Sequence, residues 1–123
     1  MANYLFNHNL SISVAESCTG GIISSKLTNI PGSSKYFKGS IVAYSNDVKE
    51  NLLSVSGDLL LEKGAVSSEV ALLMARKVSQ KFGTDIGIST TGISGPSGGS
   101  DSKPIGLVYI AVVFNDLETV KKS

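Results

Sequence analysis

The chain has 123 residues, 41% of them apolar and 17% charged, with a formal net charge of +1. That is enough chain for one core, and the near-neutral balance excludes both a disordered protein and the basic stripe of a nucleic-acid binder. The longest apolar run, residues 107–114, falls far short of a membrane span, and the single cysteine, Cys18, excludes an internal disulfide framework and a cysteine-built zinc site. Residues 1–6 lack the basic segment and apolar core of a signal peptide, so the expectation is a cytoplasmic protein.

In chain order, residues 10–15 (LSISVA) alternate apolar and polar side chains and predict a strand. Thr19-Gly20-Gly21 opens a helix to about Thr28, which Pro31-Gly32 ends. Residues 37–44 (FKGSIVAY) predict a second strand, and Ser45 or Asn46 caps a helix running to about Leu53. Residues 54–66 read as a loop with a short helical piece at 58–63, closed by Gly64. Ser67-Ser68-Glu69 opens the clearest helix, with Val70, Leu73, Met74, Val78 and Phe82 at helical spacing and Gly83 as its stop. Residues 84–91 and 105–114 predict two more strands, joined by a long glycine-rich loop, and after a turn at Asn115-Asp116 residues 117–123 start another. Strands alternating with helices argue for a sheet covered on both faces, and the helix-free connection between the third and fourth strands makes that sheet mixed.

Several side chains are candidates for chemistry, each with a plain structural alternative. His8, the only histidine, sits near a terminus and reads as a solvated side chain rather than a triad member. No spacing of the DxDxDG or HExxH kind marks a metal site. Without histidine a hydrolase needs another base, and Lys49 lies in the first turn of a predicted helix, where the dipole disfavours a cation; it is otherwise an exposed lysine. Ser34 follows a Pro-Gly turn that lets its hydroxyl project, with the N–H groups of Ser33 and Ser34 facing an oxyanion; it is otherwise a turn or cap serine. Tyr44 closes a strand near Lys49, as a proton relay or as a half-buried strand residue. Cys18 precedes a helix N-terminus, which lowers a thiol pKa, so a thiol nucleophile competes with a buried cysteine. Thr19-Gly20-Gly21 is a phosphate cradle or a glycine turn kept for packing. Lys103, in the long loop, either meets a phosphate or is a solvated charge.

The strings AESCTGG, GSSKYFKGSIVAYSNDVK, GAVSSEVALLMA and TGISGPSGGSDSKPIGLVYIA, in this order, resemble the CinA C-terminal domain family from Leu10 onward. Its enzymes are nicotinamide-nucleotide amidohydrolases (PncC-type deamidases). The resemblance implies a single domain over residues 1–123, an α/β fold built as a three-layer α/β/α sandwich with a mixed, mostly parallel sheet. It implies hydrolysis of the nicotinamide amide of nicotinamide mononucleotide, with no metal and no cofactor. It implies catalysis by Ser34 as nucleophile, Lys49 as base and Tyr44 in the relay. By role, Ser17, Thr19, Gly20, Gly21, Gly92, Gly95, Gly98 and Gly99 bind phosphate and ribose, with Ser33 and Asn46 completing the substrate-binding set. The partner implied is a small pyridine nucleotide, with neither nucleic acid nor membrane. The family starts with a longer helix than residues 2–9 allow, and it continues past Val120-Lys121-Lys122-Ser123 with an FxGDR-like segment and a last helix. Without that helix an exposed sheet favours a homo-oligomer. A shortened, non-catalytic nucleotide-binding or interaction module is the competing expectation, and thiol chemistry at Cys18 a third.

Overall fold

The computed structural model describes residues 2–92 and 107–122. Five strands form one sheet in the order β2-β1-β3-β4-β5: β1 (Ile12–Glu16), β2 (Phe37–Val42), β3 (Ile86–Gly92), β4 (Val108–Phe114) and β5 (Leu117–Lys122). β1 pairs in parallel with β2 and with β3, whereas β3/β4 and β4/β5 are antiparallel. The sheet is therefore mixed, with its parallel half around β1. Parallel neighbours require crossovers, and these are supplied by α2 (Ile22–Thr28) and by α3 (Asn46–Leu53), α4 (Gly57–Lys63) and α5 (Ser68–Phe82).

Helices cover both faces. α5 is the main cover on one face, where Ala15 of β1 packs with Val70, Met74 and Val78, and Ala71 and Ala75 meet Ala111 and Val113 of β4. On the other face Leu5 of α1 (Ala2–Asn7) packs with Ile12, Tyr36 and Ile86. The approach of α5 to β3 is closer than any side chain allows. A Cβ on Gly87 would stand 2.0 Å from the Ala75 carbonyl oxygen, so only glycine fits there. Phe82 is more exposed than its spacing predicts, because it belongs to the last turn of α5 and lies over Gly39, where a Cβ would meet its ring at 2.9 Å.

Two serine caps behave as the sequence predicts, and a third, at Ser56, is added by the structure. Ser45 and Ser67 accept hydrogen bonds from the N–H groups of Val48 and Val70, and Ser56 does the same for Leu59. β2 stops at Val42 rather than at Tyr44, because residues 43 and 44 already turn towards α3. Among the described residues no helix is long and apolar enough to cross a membrane.

Candidate active site

In a parallel pair both strands end at the same edge of the sheet. β1 ends at Glu16 and β2 at Val42, and these two residues are paired. The segments after the two strands are therefore brought together: Ser17 after β1, and Ala43, Tyr44 and α3 after β2. Two backbone bonds fix this junction. Ala43 N–H donates to Glu16 O at 2.7 Å, and Ser17 N–H donates to Thr90 O of β3 at 3.1 Å.

Lys49 occupies the first turn of α3, and its side chain reaches back over that turn to the strand ends, as helical Cα–Cβ geometry favours. It is 1% exposed. Its Nζ donates to the carbonyl oxygens of Ala43 and Tyr44, each at 3.0 Å, and lies 2.9 Å from Ser17 Oγ. Burial pushes its pKa below the ordinary lysine range, with the nearby Cys18 sulfur opposing the shift. A neutral amine has two N–H bonds and one lone pair. As an ammonium Lys49 donates to all three oxygens; as a neutral amine it keeps the two carbonyls and turns its lone pair to the Ser17 hydroxyl proton. Such an arrangement allows an uncharged lysine to take the proton of the neighbouring serine.

The serine beside Lys49 is thus Ser17 and not Ser34. Ser34 sits in a short 3₁₀ turn (Ser33–Lys35) before β2, and Lys49 lies after it. A six-residue strand separates them, a span of roughly 17 Å. Ser34 is exposed and lines a cavity with Leu5, Phe6, Asn9, Lys35 and Lys38 at the other end of β2, where that strand begins. Ser33 lies in the same turn, buried, with its N–H bonded to Ile30 O, and so is equally remote from Lys49. Tyr44 reaches Lys49 through its backbone carbonyl, while its side chain is 66% exposed. Asn46, the first residue of α3, is exposed beside it.

The turn after Ser17 departs from the expected phosphate cradle. Glu16, fully buried, places its carboxylate at the N-terminus of α2. Oε1 accepts from Thr19 Oγ1 (2.6 Å), Gly21 N–H (3.1 Å) and Ile23 N–H (3.0 Å), and Oε2 accepts from Ser24 N–H (2.8 Å) and Ser24 Oγ (2.5 Å). The free donors of a helix start attract an anion, and here the anion is the protein's own. Burial raises the Glu16 pKa, but the bonds from Ser24, Thr19 and Ile23 outweigh it and hold the carboxyl below its ordinary range. Thr19 is further engaged by Thr90 Oγ1 at 2.8 Å, and Gly20 N–H by Ser17 O at 3.1 Å. The two glycines serve the backbone, with φ of 64° at Gly20 and 112° at Gly21.

Cys18 is half-buried, and burial pushes its thiol up, against the expected lowering. Desolvation is the main cause and the Glu16 charge adds to it, outweighing the Cys18 N–H, Lys49 and the Thr19 N–H, which pull the other way. Gly92 ends β3 beside this thiol. A Cβ there would lie 3.0 Å from Cys18 Sγ and 2.5 Å from Leu107 O. Gly95, Gly98, Gly99 and Lys103 lie outside the described residues.

Comparisons with known proteins place this chain in a family. The CinA C-terminal domain description matches residues 1–123. A CinA-like protein of Dictyoglomus thermophilum is 54% identical over 112 residues, which are 91% of this chain and 27% of that protein. A putative competence-damage inducible protein of Moorella thermoacetica is 54% identical over 113 residues, 92% of this chain and 27% of that one. The chain spans about a quarter of the length of these curated relatives. Among solved structures, the competence/damage inducible protein CihA of Agrobacterium tumefaciens matches with a TM-score of 0.94 at 38% identity, over 98% of this chain and 73% of that one. A CinA superfamily protein of Escherichia coli matches with a TM-score of 0.94 at 32% identity, over 99% and 71%. The sheet that sets Ser17 against Lys49 is thus a shared architecture, and this chain belongs to the CinA C-terminal domain family.

Proposed function

We propose that the domain is an amidohydrolase that releases ammonia from the nicotinamide amide of nicotinamide mononucleotide, with Ser17 as nucleophile and Lys49 as general base. The observation that carries this reading is the 2.9 Å contact between Ser17 Oγ and a buried lysine whose other donors are taken by carbonyls. The substrate class comes from the motif resemblance.

The residues define the steps. Ser17 Oγ attacks the amide carbon while Lys49 takes its proton. The N–H groups of Cys18 and Thr19, on the turn beside the nucleophile, hold the developing oxyanion. Lys49 returns the proton to the amide nitrogen, which leaves as ammonia, and an ester on Ser17 remains. Water then attacks the ester, Lys49 again accepting and returning a proton, and the nicotinic acid nucleotide departs with Ser17 restored. Tyr44 contributes its carbonyl to the orientation of Lys49. Because Glu16 fills the α2 N-terminus, the substrate phosphate binds elsewhere.

An ammonia-release assay with nicotinamide mononucleotide tests this directly. Turnover by the wild type, abolished in Ser17→Ala and in Lys49→Ala with the fold retained, is the expected result. Substantial turnover in Ser17→Ala removes the nucleophile, and binding of the nucleotide without ammonia release favours a non-catalytic binding module instead.

A further inference from the structure

We propose that Glu16 is a positioning residue for catalysis, the internal anion around which the nucleophile-bearing turn is wound. This inference rests on Ser17 being the reacting hydroxyl. Glu16 is the last residue of β1 and Ser17 the next in chain, so the carboxylate and the nucleophile leave the strand together. The carboxylate then gathers Thr19, Gly21, Ile23 and Ser24, the segment that carries Ser17 into α2. The N–H groups assigned to the oxyanion, those of Cys18 and Thr19, lie within this loop. No serine, threonine, aspartate or asparagine stands at the cap of α2, where Gly21 has no side chain to offer, so Glu16 alone performs that task from the preceding strand. Thr19 extends the anchor to β3, because its hydroxyl lies between Glu16 Oε1 and Thr90 Oγ1.

A carboxylate accepts from every one of these donors, whereas an amide turns one acceptor into a donor that faces N–H groups. Glu16→Gln therefore loosens the turn without removing any reacting group. Misplacement of a nucleophile by about 1 Å costs about 100-fold in rate, so the effect falls on turnover and not on substrate binding. In the ammonia assay, Glu16→Gln is expected to lower kcat by about 10- to 100-fold with KM within about twofold. The acidic limb of the pH–rate profile stays in place, because Lys49 keeps its own contacts. Thr19→Val, isosteric and still able to fold around the carboxylate, is expected to lower kcat by about 3- to 10-fold.

A folded Glu16→Gln with wild-type kcat overturns the proposal. If that variant gives no cooperative thermal transition, Thr19→Val decides, and wild-type kcat in it overturns the proposal equally. If the wild type releases no ammonia, the amidohydrolase reading fails, and the rate of Ser17 labelling by a fluorophosphonate replaces kcat. Slower labelling in the variants supports positioning by Glu16. Equal rates, or no labelling of Ser17 in the wild type, overturn it.

Discussion

A buried ammonium gives up hydration that two carbonyls and a hydroxyl replace only in part, and burial therefore holds the Lys49 pKa below the ordinary lysine range. Two pH dependences arise from this. The acidic limb of kcat/KM should rise as Lys49 loses its proton, at a pH below the ordinary lysine value of 10.5. Stability shares the cause. Between the folded and unfolded pKa of Lys49 the unfolded chain binds the extra proton, so stability climbs with pH through that window. Denaturant titrations from neutral to alkaline pH should show this climb in the wild type and lose it in Lys49→Met; the same slope in both would remove Lys49 as its source. Ser34→Ala, at the other end of β2, should keep ammonia release within about twofold of wild type. Lys49 is legible in the sequence because a cation in a first helical turn breaks a local rule. Ser17 is harder to see as its partner, because Ser34 offers the more conspicuous tight bend. The signal that separates them is topological. Ser34 precedes a strand and Lys49 comes after it, while Ser17 and Lys49 both come after strands of a parallel pair.

At the scale of elements, α2 depends on a cap supplied from outside it. Glu16 is held below the ordinary carboxylate value of 4.5, burial notwithstanding, so the stability it gives is present above that value and lost as pH falls through its folded pKa. Acid unfolding tracked by circular dichroism should be steeper in the wild type than in Glu16→Gln, and Glu16→Gln should cost about 2 kcal/mol at neutral pH. α5 depends on space rather than charge. Gly87→Ala drives a methyl into the Ala75 carbonyl and should destabilise by about 3 kcal/mol, read as a lower melting temperature; an unchanged melting temperature would mean that α5 is not seated on β3 as described. Caps at Ser45 and Ser67 are readable from sequence because their partners lie three residues on. The cap of α2 is not, because its donors lie five to eight residues from the carboxylate that serves them. For the same reason the glycine turn reads as a cradle for phosphate.

For the molecule as a whole, alternating strands and helices are enough to foresee a covered α/β sheet, and the lack of a helical sequence pattern between the third and fourth predicted strands foretells its antiparallel half. Strand order is beyond local reading, since the placement of β1 between β2 and β3 depends on which faces α2 and α5 cover. On the proposed lysine mechanism a chelating agent should leave ammonia release unchanged, and inhibition reversed by added metal would contradict it.

The junction of β1 with its neighbours has a further consequence. Ser17 follows β1 and the helix that carries Lys49 follows β2, and the bond from Ala43 to the Glu16 carbonyl is the last stitch between these two strands. A seam that opens from its end parts Ser17 from Lys49 while the helices stay wound. In rising guanidinium chloride, the proposed ammonia release should fade before the helical signal, and Ala43→Pro, which removes the N–H of that stitch, should widen the gap between the two curves.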